Sequence, residues 1–335
     1  MGLLTKDVAI DLGTANTIIY VQGKGIVVRE PSVVAVDRYS GKVVAAGNEA
    51  NAMIGRTPDN IIAIRPMKDG VIADFDITQS MIKQFIRKSG VMGIMKPRVV
   101  VCIPSGITEV ERRAVEEAVI QAGAKDVALI EEPMAAAIGA GLPVKRATGS
   151  MVMDIGGGTT EVAVISMGGI VSSRSIRIAG DAMDSAIVNY LKKNAGINIG
   201  DKMAEEIKIE IGSAYEDDDE GVFDVRGRDV STGLPKTVQI KESQIREAIK
   251  ENIDQMLEAV KMTLEHTPPE LAADVMERGI TLTGGGALIK GLDRLLTEIT
   301  KIPAQVAEYP LDCVAIGTGK ALDDIKELMS RKRFM

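Results

Sequence analysis

Apolar positions recur along this chain with two periods, and the changes of period mark out its elements. Val8-Ala9-Ile10 and Ile18-Ile19-Tyr20-Val21 are β-type runs joined through Asp11-Leu12-Gly13-Thr14-Ala15-Asn16-Thr17. Val152-Met153 and Val162-Ala163-Val164-Ile165 are joined in the same way through Asp154-Ile155-Gly156-Gly157-Gly158-Thr159-Thr160-Glu161. Each segment predicts a β-hairpin: an apolar strand ending at an Asp, a Gly/Thr turn and an apolar return strand. Between them, 32–36 and 41–45 read as short strands, and Met81, Ile82, Phe85 and Ile86 share one face of a helix over 77–89. Arg98-Val99-Val100-Val101-Cys102-Ile103 reads as a buried strand. Thr108-Glu109-Val110-Glu111 is a capping-box start for a helix running to Gln121, which Gly123 stops. Strand Val127-Ala128-Leu129-Ile130 then leads to Glu131-Glu132-Pro133 and an Ala-rich helix.

In the second half the pattern predicts helices over 182–195 and 202–213, β-structure over 222–240 and a long helix over 242–266. A strand and a Gly-rich turn follow at 279–287, with a helix through Leu296. Strands alternating with helices indicate α/β architecture. Residues 182–240 read as an insertion after the second hairpin, and 33–75 take the same place in the first half.

Composition narrows the function. At 335 residues the chain holds two domains with sizeable cores. A net charge of −7 argues against nonspecific nucleic-acid binding, and 3% aromatic residues with no Trp leave little for base stacking. Cys102 and Cys313 form no C-x-x-C pair, and the first residues carry no signal-peptide pattern, so a reducing cytoplasm is the expected compartment. No apolar run approaches membrane-spanning length. His266 is the single histidine, which excludes a His-based triad or a multi-His metal site.

The two turns carry the candidate chemistry. Glycine lets backbone approach a ligand closely, and Thr and Asn add short polar side chains. Asp11 and Asp154 each offer a carboxylate at a strand end, suited to holding magnesium-bound waters beside phosphates, although a turn carboxylate capping amides is ordinary structure. Two copies of the design, one per half, suggest duplicated subdomains facing one nucleotide. Glu132, just before Pro133, is placed to orient or deprotonate a water, with Glu131 facing elsewhere. Gly284-Gly285-Gly286-Ala287 either contacts a nucleotide or serves tight strand-to-helix packing. Glu205 and Lys208 form either an i,i+3 ion pair or contacts to a ribose or base. No G-x-G-x-x-G fingerprint is present. Gly317-Thr318-Gly319-Lys320-Ala321 has only a partial likeness to a P-loop, lacking the upstream Gly at Val314 and the Ser/Thr at Ala321, and reads as a turn starting the C-terminal helix.

Together the two hairpins, Ile130-Glu131-Glu132-Pro133-Met134-Ala135-Ala136-Ala137 and Leu282-Thr283-Gly284-Gly285-Gly286 resemble the phosphate-1, connect, phosphate-2 and adenosine motifs of the actin, sugar-kinase and heat-shock-chaperone superfamily. Within it the chain is similar throughout to the MreB family of bacterial actins, with its Mbl- and MreBH-type paralogues. Glu30-Pro31-Ser32-Val33-Val34-Ala35, the segment from Arg65-Pro66-Met67-Lys68 to Ala73-Asp74, and Thr267-Pro268-Pro269-Glu270-Leu271 extend the likeness outside the nucleotide motifs. The resemblance implies two duplicated ribonuclease-H-like lobes around a cleft holding ATP and magnesium, each lobe with a small inserted subdomain. It implies subdomains at 1–32, 76–145 and 313–335 (IA), 33–75 (IB), 146–181 and 241–312 (IIA), and 182–240 (IIB). Thr14, Ala15 and Asn16 fall in the first phosphate loop, and Gly156, Gly157, Gly158 and Thr159 in the second. Gly180, Asp181, Glu205, Lys208, Gly284, Gly285, Gly286 and Ala287 match other nucleotide contacts; Asp11 and Asp154 match the magnesium-water residues. Glu132 matches the residue that positions the hydrolytic water, with Thr159 assisting.

The resemblance also implies a slow ATPase that forms filaments of paired protofilaments, organises cell-wall synthesis and maintains rod shape at the inner face of the cell membrane. Its partners would be of the RodZ, MreC and MreD type. Val91-Met92-Gly93-Ile94-Met95 is an apolar stretch rimmed by Arg87, Lys88, Lys96 and Arg98, suited to inserting into an anionic bilayer or to folding back into the core. With Met1-Gly2-Leu3-Leu4 too short for an amphipathic helix, Ile94 and Met95 are the expected membrane contacts. Arg331-Lys332-Arg333 would add electrostatic attraction or simply be a disordered tail. The rival reading is a soluble small-molecule kinase on the same fold, which needs a sugar-binding segment and a general base that no stretch announces.

Overall fold

Both hairpins become the middle of a five-stranded sheet, and the two sheets share one strand order. The computed structural model describes residues 6–91, 95–217 and 220–331. It divides into two compact units, one ending at Ala147 and resuming at Met167–Ile170 and from Leu311, the other comprising Thr148–Ser166 and Val171–Pro310.

In the first unit, Val8–Leu12 pairs antiparallel with Asn16–Val21, which pairs with Gly25–Pro31. On its other side Val8–Leu12 runs parallel to Arg98–Ile103, which in turn runs parallel to Asp126–Glu131. In the second unit Ser150–Ile155 pairs antiparallel with Thr160–Ser166, beside which lies Gly169–Ile176. On the other side it runs parallel to Ile280–Thr283, followed by Ala304–Val306. The hairpin's first strand is therefore central in each sheet, at the point where connections change direction. In open α/β sheets, ligands bind outside the carboxyl ends of strands at such a point.

Small sheets lie in the predicted insertions. Val43–Ala46, Val34–Asp37 and Ile61–Ile64 form one, over Val33, Ala35, Ala45 and Ala50. Ile197–Asn198, Val222–Asp229 and Pro235–Lys241 form the other.

The helices obey their local signals. Asp74 caps Phe75–Lys88 by accepting from the Ile77 amide, and Met81, Ile82, Phe85 and Ile86 are buried beneath it. Thr108 and Glu111 form the reciprocal capping box of Glu109–Ala122. Glu242–Glu265 lines the core of the second unit with Ile245, Ile249, Ile253, Met256 and Val260. Among the described residues no helix is long and apolar enough to cross a membrane.

Three local readings change. Glu132 does not close a strand: Glu131 ends Asp126–Glu131 in an extended conformation (ψ 137°), and Glu132 opens helix Glu132–Gly139, where Pro133 suits the first turn. After the Gly-rich turn the helix begins late, at Leu292, following a short 3-10 turn over Gly285–Leu288. The segment 317–321 is no turn, because Gly317 and Gly319 lie inside the helix Cys313–Lys320. A Cβ at Gly317 would stand 1.8 Å from the Ala135 carbonyl oxygen, and one at Gly139 1.8 Å from that of Cys313. These glycines sit mid-helix because two backbones cross too closely for any side chain, which outweighs glycine's poor helix propensity.

Candidate functional site

The first turn is built at the carboxyl end of strand Val8–Leu12. Pairing of Ile10 with Val101 sets Asp11 beside Cys102, whose thiol donates to the Asp11 carboxylate (Sγ to Oδ1, 3.3 Å). Burial, then the charges of Asp11 and Glu132, push the Cys102 thiol up, so it is a neutral donor. Asp11, Cys102 and Glu132 thus gather at the ends of adjacent strands, with Glu132 buried. In the turn, a Cβ at Gly13 would meet the Asn16 carbonyl oxygen at 2.6 Å, so only glycine allows this tight reversal. Ser32 braces it twice, its hydroxyl donating to Gly13 O (2.7 Å) and its amide to Ala15 O (2.9 Å). The Gly70 amide donates to Thr14 Oγ1 at 2.9 Å, leaving the hydroxyl proton to serve an acceptor. Thr14 is buried, Ala15 half-buried and Asn16 exposed.

The second turn follows Ser150–Ile155. Asp154 is 5% exposed and accepts from Thr283 Oγ1 at 2.7 Å, across a pair in register between parallel strands. Gly156 closes the turn by donating to Thr159 O (2.9 Å). Helix Gly180–Tyr190 then sets its first amides onto the turn, Gly180 N to Gly156 O (3.1 Å) and Asp181 N to Gly157 O (2.8 Å). Gly284 (φ 78°) and Gly286 press on the same strand end: a Cβ would lie 2.3 Å from Ile155 O and 2.2 Å from Ile155 Cγ2 respectively. Tight packing thus accounts for both glycines, while Gly285 is exposed and Ala287 buried beside them.

Lys208 decides between its two readings against the i,i+3 pair. Its ammonium lies 2.8 Å from Asp184 Oδ1 and donates to Gly180 O at 3.0 Å. Asp184 had no sequence signal, and neither had Ser32, Gly70 or Cys102 as supports of the first turn. Glu205 is half-buried on the same helix, Asp201–Ile211.

Burial pushes Asp154 from 3.8 to about 6, against the Thr283 hydrogen bond, which lowers it. Unfolded, the group ionises near 3.8; folded, it keeps its proton to about 6, so the folded state binds more protons in between. Its contribution to stability is therefore full below about 4 and lost as pH rises through about 6. Asp154→Asn keeps an acceptor for Thr283 and removes the titration. In nucleotide-free protein with chelator, the variant is expected to match wild type near pH 4 and exceed it by up to about 3 kcal/mol at pH 7. Thermal melts across this range check it, and parallel pH profiles would refute it. The same buried anion, with hydroxyls and glycine turns nearby, suits a hydrated divalent cation, which favours the ionised carboxylate. Among the described residues no group of three or more His, Cys, Asp or Glu could cage a bare metal.

Of the expected membrane contacts, Ile94 lies outside the described residues. Met95 is 49% exposed, whereas Val91, at the start of the stretch, is buried with the core of its unit.

Two sheets of one strand order, each with an Asp-Gly/Thr turn ending its central strand, define an α/β protein of the actin, sugar-kinase and heat-shock-chaperone fold. Within that class the chain belongs to the MreB/Mbl family, whose model, described as MreB/Mbl protein, matches residues 5–330. It is 57% identical to the cell shape-determining protein MreB of Escherichia coli over 330 residues, covering 97% of this chain and 95% of the relative. It is 53% identical to the cell shape-determining protein Mbl of Bacillus subtilis over 331 residues, covering 98% and 99%. The crystal structure of MreB 5 of Spiroplasma citri bound to AMPPNP superposes with a TM-score of 0.93 at 38% identity, covering 99% of this chain and all of that one.

Proposed function

We propose that this protein is a membrane-associated actin-like filament former that binds ATP with magnesium, hydrolyses it slowly, and organises cell-wall synthesis to maintain cell shape. The observation that carries this reading is the repeated turn, with Asp11 and Asp154 at equivalent strand ends in sheets of one topology. The relatives named as cell shape-determining, and the likeness to a protein bound to AMPPNP, support it. Thr14, Ala15 and Asn16 in one turn and Gly156, Gly157, Gly158 and Thr159 in the other bind phosphates. Gly180, Asp181, Glu205, Lys208 and Gly284 to Ala287 complete the nucleotide site. Asp11 and Asp154 hold the waters of magnesium, which when bound neutralises phosphate charge. Glu132 orients the attacking water and takes its proton, with Thr159 assisting. ATP would favour the polymer, and hydrolysis would weaken it. Ile94 and Met95 would enter an anionic inner membrane surface, where RodZ-, MreC- and MreD-type proteins are the fitting partners.

Sedimentation and electron microscopy with ATP and magnesium, with and without anionic liposomes, test this. Filaments are expected that pellet with liposomes. Changing Ile94 and Met95 to Ser is expected to abolish co-sedimentation with ATP binding intact. Monomers under all conditions, together with phosphorylation of a sugar, would favour the kinase reading instead.

A further inference from the structure

The bonds around Lys208 form a continuous path within one unit. Helix Asp201–Ile211 carries Lys208; helix Gly180–Tyr190 carries Gly180 and, one turn later on the same face, Asp184. The Lys208 ammonium takes the Asp184 carboxylate and the Gly180 carbonyl, and both charged side chains are about nine-tenths buried. The amides of Gly180 and Asp181 in turn hold the carbonyls of Gly156 and Gly157. The fit has no slack: a Cβ at Gly180 would stand 3.3 Å from both Lys208 Nζ and Gly156 O. The surroundings are acidic, with Asp181 and Glu205 acting on Asp184 and Lys208 as the opposing cation. Were the Lys208 ammonium to turn towards a ligand, Asp184 would stay buried without its counter-charge, which is costly.

We propose that Asp184 is a positioning residue for the second phosphate turn: by anchoring Lys208 it clamps the first turn of helix Gly180–Tyr190 onto Gly156 and Gly157. Helix Asp201–Ile211, which lies in the inserted stretch, is thereby coupled to the turn. The role assigned to Lys208 is to fasten the turn rather than to touch base or ribose. The proposal rests on the nucleotide reading above in one respect, that the turn binds phosphate.

The test uses the full-length chain and two variants, Asp184→Asn and the double variant D184N/K208M, which strands no buried charge. Without nucleotide, hydrogen exchange at the amides of 180–181 is expected to accelerate by about tenfold or more in both, the scale of a lost bond to a charged group. With magnesium, affinity for ATP is expected to fall by about tenfold, while affinity for adenosine, which has no phosphate, is unchanged. Circular dichroism confirms the fold, and the double variant decides the matter if the single one does not fold. Exchange and ATP affinity within twofold of wild type, or equal losses for ATP and adenosine, would overturn the proposal. Accelerated exchange in a chain whose wild type binds no ATP would leave the clamp standing and remove the nucleotide reading instead.

Discussion

Glu132→Gln is expected to lower phosphate release from ATP by about a hundredfold or more while nucleotide affinity changes little, the usual scale for losing a general base. Glu132 is the first residue of helix Glu132–Gly139, immediately beyond strand Asp126–Glu131, and is buried at 8% exposure. Its charge is felt at Cys102, beside Asp11, so it stands with the magnesium-water carboxylate of its own unit. Gln keeps the size and the helix start but cannot accept a proton from water. Binding should therefore survive where chemistry fails, and filaments formed with ATP should persist longer than those of the wild type. A phosphate-release assay run beside a nucleotide-binding titration separates the two effects. Unchanged release would remove Glu132 from the chemistry, and a parallel loss of binding would make it a binding residue only.

Gly317→Ala is expected to be the most damaging single methyl group in the first unit. The added Cβ would stand 1.8 Å from Ala135 O, 2.6 Å from Ala135 C and 2.9 Å from Gly139 N. These are backbone atoms of a helix, so no side chain can swing aside. Overpacking usually costs about 1–3 kcal/mol, and a backbone clash lies at or beyond the upper end. The clash has a second consequence, because the displaced helix is the one that starts with Glu132. Thermal melts should show a fall of several degrees, or the protein should fail to accumulate in soluble form. Gly200→Ala is the control, since nothing lies within 4 Å of its Cβ position. Equal melting temperatures for the two variants would mean that the helices separate at no cost.

The local elements were legible because their signals act over a few residues. Alternating apolar residues around Asp11 and Asp154 specify hairpins, and these formed over Val8–Leu12 with Asn16–Val21 and over Ser150–Ile155 with Thr160–Ser166. Thr108 with Glu111 and Asp74 with Ile77 are contacts three residues apart, within reach of any sequence reading. The segment 317–321 failed for a physical reason of another kind. Two glycines in five residues signal a turn locally, but here they relieve a collision with a helix that starts some 180 residues earlier in the chain.

By itself the sequence determined the duplicated α/β plan, the two Asp-Gly/Thr turns and the presence of Glu132 at a strand-to-helix junction, because period, capping and turn chemistry are local. The tertiary structure alone decided what holds those turns in place. Ser32 and Gly70 brace the first, Thr283 buttresses Asp154, Cys102 donates to Asp11, and Lys208 leaves Glu205 for Asp184. Each of these joins residues on elements far apart in sequence. Which polar group meets which depends on strand register and helix crossing, and both are settled only when the cores of the two units pack.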